Sequence, residues 1–139
     1  MIVLDTNVLS ELLRAKPEPV VVDWTVSQPI DTLFTTTVTQ AEMLYGVGLL
    51  PDGRRRRRLE KAVAALFAQD FNGRVLPFDS AAATAYAEIA AERQRMGRPI
   101  SQFDAQIAAI TQSRGGRLAT RNVVDFEHCG LDTLNPWFP

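Results

Sequence analysis

The sequence predicts an α/β fold: a three-layer α/β/α sandwich around a central, mainly parallel sheet of four to five strands. Three observations predict it. Short apolar or β-branched runs recur at residues 1–4, 32–36, 74–78, 117–120 and 131–135. Longer segments with apolar residues at helical spacing lie between them. The length, 139 residues, suits one domain spanning residues 1–139, with a core large enough to need no covalent staples. Strands that alternate with helices pair in parallel through right-handed crossovers, which place helices on both faces of the sheet.

The elements follow in order. Met1-Ile2-Val3-Leu4 is a continuous apolar run that meets Asp5-Thr6-Asn7, and it reads as a buried first strand. Val8, Leu9, Leu12 and Leu13 continue as a helix over residues 8–14, stopped by Lys16-Pro17-Glu18-Pro19. Val20, Val21, Trp24 and Val26 form a short amphipathic helix that ends near Gln28-Pro29. Residues 32–36 are strand two. Residues 38–50 are a helix with Ala41, Leu44, Tyr45 and Val47 on its apolar side, broken by Pro51-Asp52-Gly53. Residues 54–71 are a longer helix with a Leu59, Val63, Leu66, Phe67 stripe, ended by Asn72-Gly73. Strand three, residues 74–78, leads into Asp79-Ser80 as a cap for an Ala-rich helix over residues 81–96. Gly97-Arg98-Pro99 ends that helix, and residues 101–113 form the next, closed by Gly115-Gly116. Residues 117–120 are strand four. Residues 121–130 are a loop with one helical turn, and residues 131–135 a short last strand before the tail.

Bulk properties exclude several classes. A single cysteine, Cys129, rules out an internal disulfide framework and suits a reducing compartment. Met1 leads straight into the first strand without a basic n-region, so no secretion signal is expected. No apolar run approaches the roughly 20 residues of a membrane span. These features predict a cytoplasmic protein with no membrane partner. The formal net charge of −1 argues against a surface that binds nucleic acid all over, and leaves room for a local patch.

Asp5 closes strand one. Glu42 lies in the first turns of the helix after strand two. Asp104 lies in the first turn of the helix before strand four, and Asn122 and Asp125 follow that strand. In a parallel sheet the residues beyond strands one, two and four gather at one edge. Asp5, Glu42, Asn122 and Asp125 are thereby neighbours, and Asp104 joins them if the loop over residues 97–100 stays on that edge. Each acid also has a plain reading. Asp5 or Asn7 can cap the first helix, and Thr39-Gln40-Ala41-Glu42 and Ser101-Gln102-Phe103-Asp104 both fit a capping box. Their joint position shifts the weight. Two carboxylates about 4 Å apart repel by roughly 4 kcal/mol at an effective dielectric of about 20. A divalent cation removes that conflict, and an all-oxygen set selects Mg²⁺ or Mn²⁺ over zinc.

Val3-Leu4-Asp5-Thr6-Asn7-Val8-Leu9-Ser10-Glu11 resembles the opening of PIN-domain ribonucleases, and the wider pattern is similar to VapC-type toxins of toxin–antitoxin pairs, including the FitB-like branch. Thr39-Gln40-Ala41-Glu42 through Gly46 resembles their second motif. Gly97-Arg98-Pro99-Ile100, with Asp104 and Ile107-Ala108-Ala109, resembles the third. Leu118-Ala119-Thr120-Arg121-Asn122 with Asp125-Phe126 resembles the fourth. No motif is specific alone; four in order at compatible spacing are. The resemblance implies a compact α/β/α sandwich, Asp5, Glu42 and Asp104 as metal-binding acids, an RNA substrate, a homodimer, and an antitoxin that occludes the site. The family's fourth acidic position varies, and here both Asn122 and Asp125 are candidates. The chemistry expected is metal-assisted phosphodiester hydrolysis by Asp5, Glu42, Asp104 and Asp125. Mg²⁺, which Mn²⁺ can replace, is held mainly by Asp5 and Asp104. Thr6, Asn7 and Thr120 are candidates to fix the carboxylates, though local caps explain them equally.

Other features weigh less. Residues 54–58 are five consecutive arginines, which wrap more than a helical turn and read either as a solvated surface or as phosphate contacts. His128 has only Cys129 beside it and makes no zinc site. No nucleophile elbow supports a Ser–His–Asp triad. Trp24 and Trp137 read as packing residues, and Tyr45, Leu49, Leu59 and Val63 as either core or a dimer face. Two alternatives stand beside the nuclease: an aspartyl phosphatase or phosphotransferase, which wants an acid where Asn7 stands, and a PIN-like module that only binds.

Overall fold

The computed structural model describes residues 1–139. Five strands form one sheet: β1 (Ile2–Leu4), β2 (Leu33–Thr36), β3 (Val75–Leu76), β4 (Arg117–Ala119) and β5 (Thr133–Leu134). Their order is β3-β2-β1-β4-β5 and every pairing is parallel, so the expected sandwich is realised with a fully parallel sheet. Six helices cover it: α1 (Thr6–Leu12), α2 (Pro19–Ser27), α3 (Thr37–Gly48), α4 (Arg54–Ala65), α5 (Ser80–Arg95) and α6 (Gln102–Ser113). Side chains alternate across the strands. Val3 and Leu118 join Ala82, Ile89, Ile107 and Ile110 on one face. Leu4, Leu33 and Ala119 join Val8, Leu9, Val63 and Phe67 on the other. No helix is long and apolar enough to cross a membrane.

Several boundaries moved, each for a local reason. Asp5 is extended and accepts the Thr6 amide at 2.8 Å, so α1 starts at Thr6 rather than Val8. Thr36 Oγ1 accepts the Thr39 amide at 3.0 Å, so α3 starts at Thr37 and the capping-box reading of Thr39-Gln40-Ala41-Glu42 is displaced. Removing that hydroxyl in Thr36→Ala is expected to cost about 1–2 kcal/mol in urea denaturation. The long fourth helix becomes a π turn over Leu66–Asp70, where the Phe71 amide reaches Leu66 O at 2.9 Å; this register lets Leu66, Phe67 and Phe71 all turn inward. Gly97 ends α5 in the left-handed region at φ 71°.

The apolar side expected for α3 is corrected. Val38, Thr39, Met43 and Val47 are buried, whereas Ala41, Leu44 and Tyr45 are exposed, Tyr45 to 68%. Hydrophobicity at helical spacing was compatible with two faces, and contact with the sheet chose the one carrying Thr39. Trp24 and Trp137 pack at the edge of the second core cluster, as expected.

Candidate active site

Strand order 3-2-1-4-5 reverses direction between β1 and β4, and a crevice opens beyond the carboxyl ends of those two strands. Asp5 stands there. Its backbone amide donates to Ala119 O at 2.9 Å, which extends the ladder by one residue and aims the side chain outward from the sheet. The carboxylate is only 5% exposed. Thr120 Oγ1 donates to Asp5 Oδ2 at 2.8 Å, Asn7 Nδ2 to the same oxygen at 3.3 Å, and the Thr6 amide to Oδ1. Asn7 Oδ1 in turn accepts the Arg121 amide at 3.2 Å. Asp5 is therefore both the helix cap and the centre of a hydrogen-bonded network, and Thr120 and Asn7 orient it as expected. Burial nonetheless pushes its carboxyl up to about 6, against the hydrogen bonds from Thr120 and Thr6 and with help from the charges of Asp104 and Glu42.

Glu42 is half-buried on α3. With Thr36 capping the helix, its side chain is free of the backbone, and Thr6 Oγ1 donates to Glu42 Oε1 at 2.9 Å. Burial raises its carboxyl, Thr6 opposes this, and the Asp104 charge adds to it. Asp104 keeps its cap: its amide donates to Ser101 Oγ at 3.2 Å. Its carboxyl is raised by burial and by the charge of Asp125, and lowered by Ser101 and Arg93. The loop before α6 thus does stay on the site's edge. Of the two fourth-position candidates, Asn122 and Asp125 are both exposed, and Asp125 is the one whose charge acts on Asp104.

Three carboxyls are raised because each is partly desolvated among like charges. They share a field without forming a cage, and no group of three or more His, Cys, Asp or Glu side chains is arranged to hold a metal ion. Glu42 is tethered to Thr6. The donor set fits Mg²⁺, which typically takes one or two carboxylates and keeps several waters; it does not fit an ion that needs a full protein cage.

Sequence reasoning missed Arg93. It is buried, and its guanidinium donates to three carbonyls: Arg98 O at 2.6 Å, Asp125 O at 2.9 Å and Glu127 O at 3.0 Å. One side chain therefore ties the loop leading to Asp104 to the turn bearing Asp125. A signal existed: Ala82, Ala85 and Ile89 define the buried stripe of α5, and the next position four residues on is 93.

The family model described as PIN domain matches residues 2–128. The VapC ribonuclease Y4jK of Sinorhizobium fredii is 41% identical over 139 residues, covering 100% of this chain and 99% of that protein. Toxin FitB of Neisseria gonorrhoeae is 38% identical over 141 residues, with 99% of each covered. The crystal structure of FitAcB from Neisseria gonorrhoeae superposes with a TM-score of 0.92 at 36% identity, over 99% of both chains.

Proposed function

The chain belongs to the PIN-domain family, and from that premise we propose that it is a ribonuclease acting as the toxin of a toxin–antitoxin pair. The observation that carries this is Asp5: a buried carboxylate at the switch point of the sheet, raised to about 6 and within the field of Glu42 and Asp104. The reaction is hydrolysis of RNA phosphodiester bonds with a divalent cation, Mg²⁺ or Mn²⁺, and Asp5 and Asp104 would hold it. When bound, such an ion supplies charge neutralisation at the phosphate and a lowered pKa for water. Thr120, Thr6 and Asn7 keep the Asp5 oxygens fixed in one orientation. Glu42, held by Thr6, orients the attacking water and takes its proton. Asp125 completes the acidic rim beside Asp104.

An antitoxin partner, a cytoplasmic setting and a homodimer belong to the same reading; the exposed Leu44, Tyr45 and Leu49 of α3 support the last. Family membership sets aside the phosphotransferase, as does the amide of Asn7 where that chemistry wants an acid. Incubation of the chain with an RNA pool tests the proposal. Fragments with 5′-phosphate and 3′-hydroxyl ends are expected with Mg²⁺ or Mn²⁺, and none with a chelator. Cyclic phosphate ends, or cleavage that survives chelation, would overturn it.

A further inference from the structure

We propose that the cleft between α1, α3 and α4 is the track by which single-stranded RNA reaches the acids, and that Arg55 and Arg58 hold its phosphates; this rests on the ribonuclease reading above. The cleft has a volume of about 730 Å³ and begins at Thr6 and Glu42, so it opens directly onto the site. Its apolar lining includes Leu13, Val47 and Leu59, and its cations are Arg14, Lys16, Arg55 and Arg58. Glu42 is the one carboxylate that lines it.

The five arginines of α4 are not equivalent. Arg56 is committed to Asp52 at 3.1 Å, Glu60 at 2.8 Å and Leu50 O at 3.3 Å. Arg54 and Arg57 lie outside the cleft. Arg55 and Arg58, three residues apart, share the helix face that lines it. Both are exposed, and neither they nor Lys16 make an ion pair; Arg14 is bound to Glu11 at 3.0 Å. This placement is unfavourable without a counter-charge. Arg55 lies in the first turn of α4, where a cation opposes the helix dipole, Gly53 gives no side-chain cap, and no acid stands in that turn. A polyanion supplies what is missing. The site itself repels phosphate, since its groups are carboxylates, so an RNA strand needs positive charge just outside it to be held and steered inward. A cationic cleft that starts at Glu42 meets that need.

The test measures binding of a short fluorescent single-stranded RNA of mixed sequence by the full chain, across a salt series in chelator. Arg55→Gln with Arg58→Gln is expected to weaken affinity roughly tenfold and to reduce the salt slope by about 1.4, about 0.7 per phosphate contact. Arg54→Gln with Arg57→Gln, the same change of charge outside the cleft, is expected to alter the slope by less than about half of that. Equal losses in both pairs would mean a diffuse field and overturn the proposal, as would an unchanged slope in the cleft pair. Intact RNA binding with weakened antitoxin binding in the cleft pair would assign the cleft to a protein segment instead. Cleavage by the wild-type chain with Mn²⁺ is run in parallel. If it is absent, the ribonuclease reading fails; if it is present and the cleft pair keeps its slope, only the cleft assignment fails.

Discussion

Asp5→Asn is expected to lower RNA cleavage roughly 100-fold or more while the chain stays folded, because it removes a ligand charge and preserves shape. It also has a signature in stability. Burial pushes the native carboxyl up to about 6 from its ordinary 3.8, so the folded state binds this proton more tightly than the unfolded chain does. The wild-type protein is therefore fully stable with respect to this group below the lower value. It loses about 3 kcal/mol as pH rises through the higher one. Asparagine does not titrate. The stability of Asp5→Asn minus that of wild type should accordingly climb by about 2 kcal/mol between pH 4 and pH 7, whatever constant offset the lost acceptor bonds impose. Urea denaturation across that range reads the difference directly. Saturating Mg²⁺ at neutral pH should raise the melting temperature of wild type more than that of the variant, since binding to the native state alone stabilises it. A flat difference across pH, or a variant that cleaves at the wild-type rate, would remove Asp5 from the centre of the site.

Arg93→Met carries the second large effect. It leaves the carbonyls of Arg98, Asp125 and Glu127 without their buried donor, at a cost of about 3–5 kcal/mol. Arg93→Lys should recover only part of this, because one ammonium lacks the planar fork that serves carbonyls on two segments at once. Arg95→Met is the control. Arg95 is exposed and pairs only with Glu92, so its loss should stay within about 0.5 kcal/mol. Amide exchange should quicken around Asp125 and ahead of Asp104 in both Arg93 variants, and cleavage should fall in the folded fraction. The Asp5–Thr120 bond lies elsewhere and should be preserved. Equal stability of Arg93→Met and Arg95→Met in denaturant would show that the clamp contributes nothing.

How much of the site was legible divides along the same line. Asp5 and Glu42 could be placed by topology, because parallel strands deliver their following residues to one edge. Asp104 was conditional on a loop, and the side chain that anchors the loop, Arg93, differs in sequence from its neighbour Arg95 only by continuing the buried stripe of α5. The apolar residues of α3 were visible, but which of them faced the sheet was not. Leu44 and Tyr45 proved exposed, while the polar Thr39 is fully buried.

Strand and helix alternation, the stops at Lys16-Pro17 and Pro51-Asp52-Gly53, and the list of acids were determined by the sequence by itself. Periodicity, turn chemistry and capping act over a few residues, so they can be read locally. Tertiary structure alone decided the order β3-β2-β1-β4-β5, the tether from Thr6 to Glu42 across 36 positions, and the bond from Thr120 to Asp5 across 115. It also decided which carboxyls lose water and so titrate high. Desolvation and long-range hydrogen bonds depend on what packs alongside, and chain neighbours do not specify that.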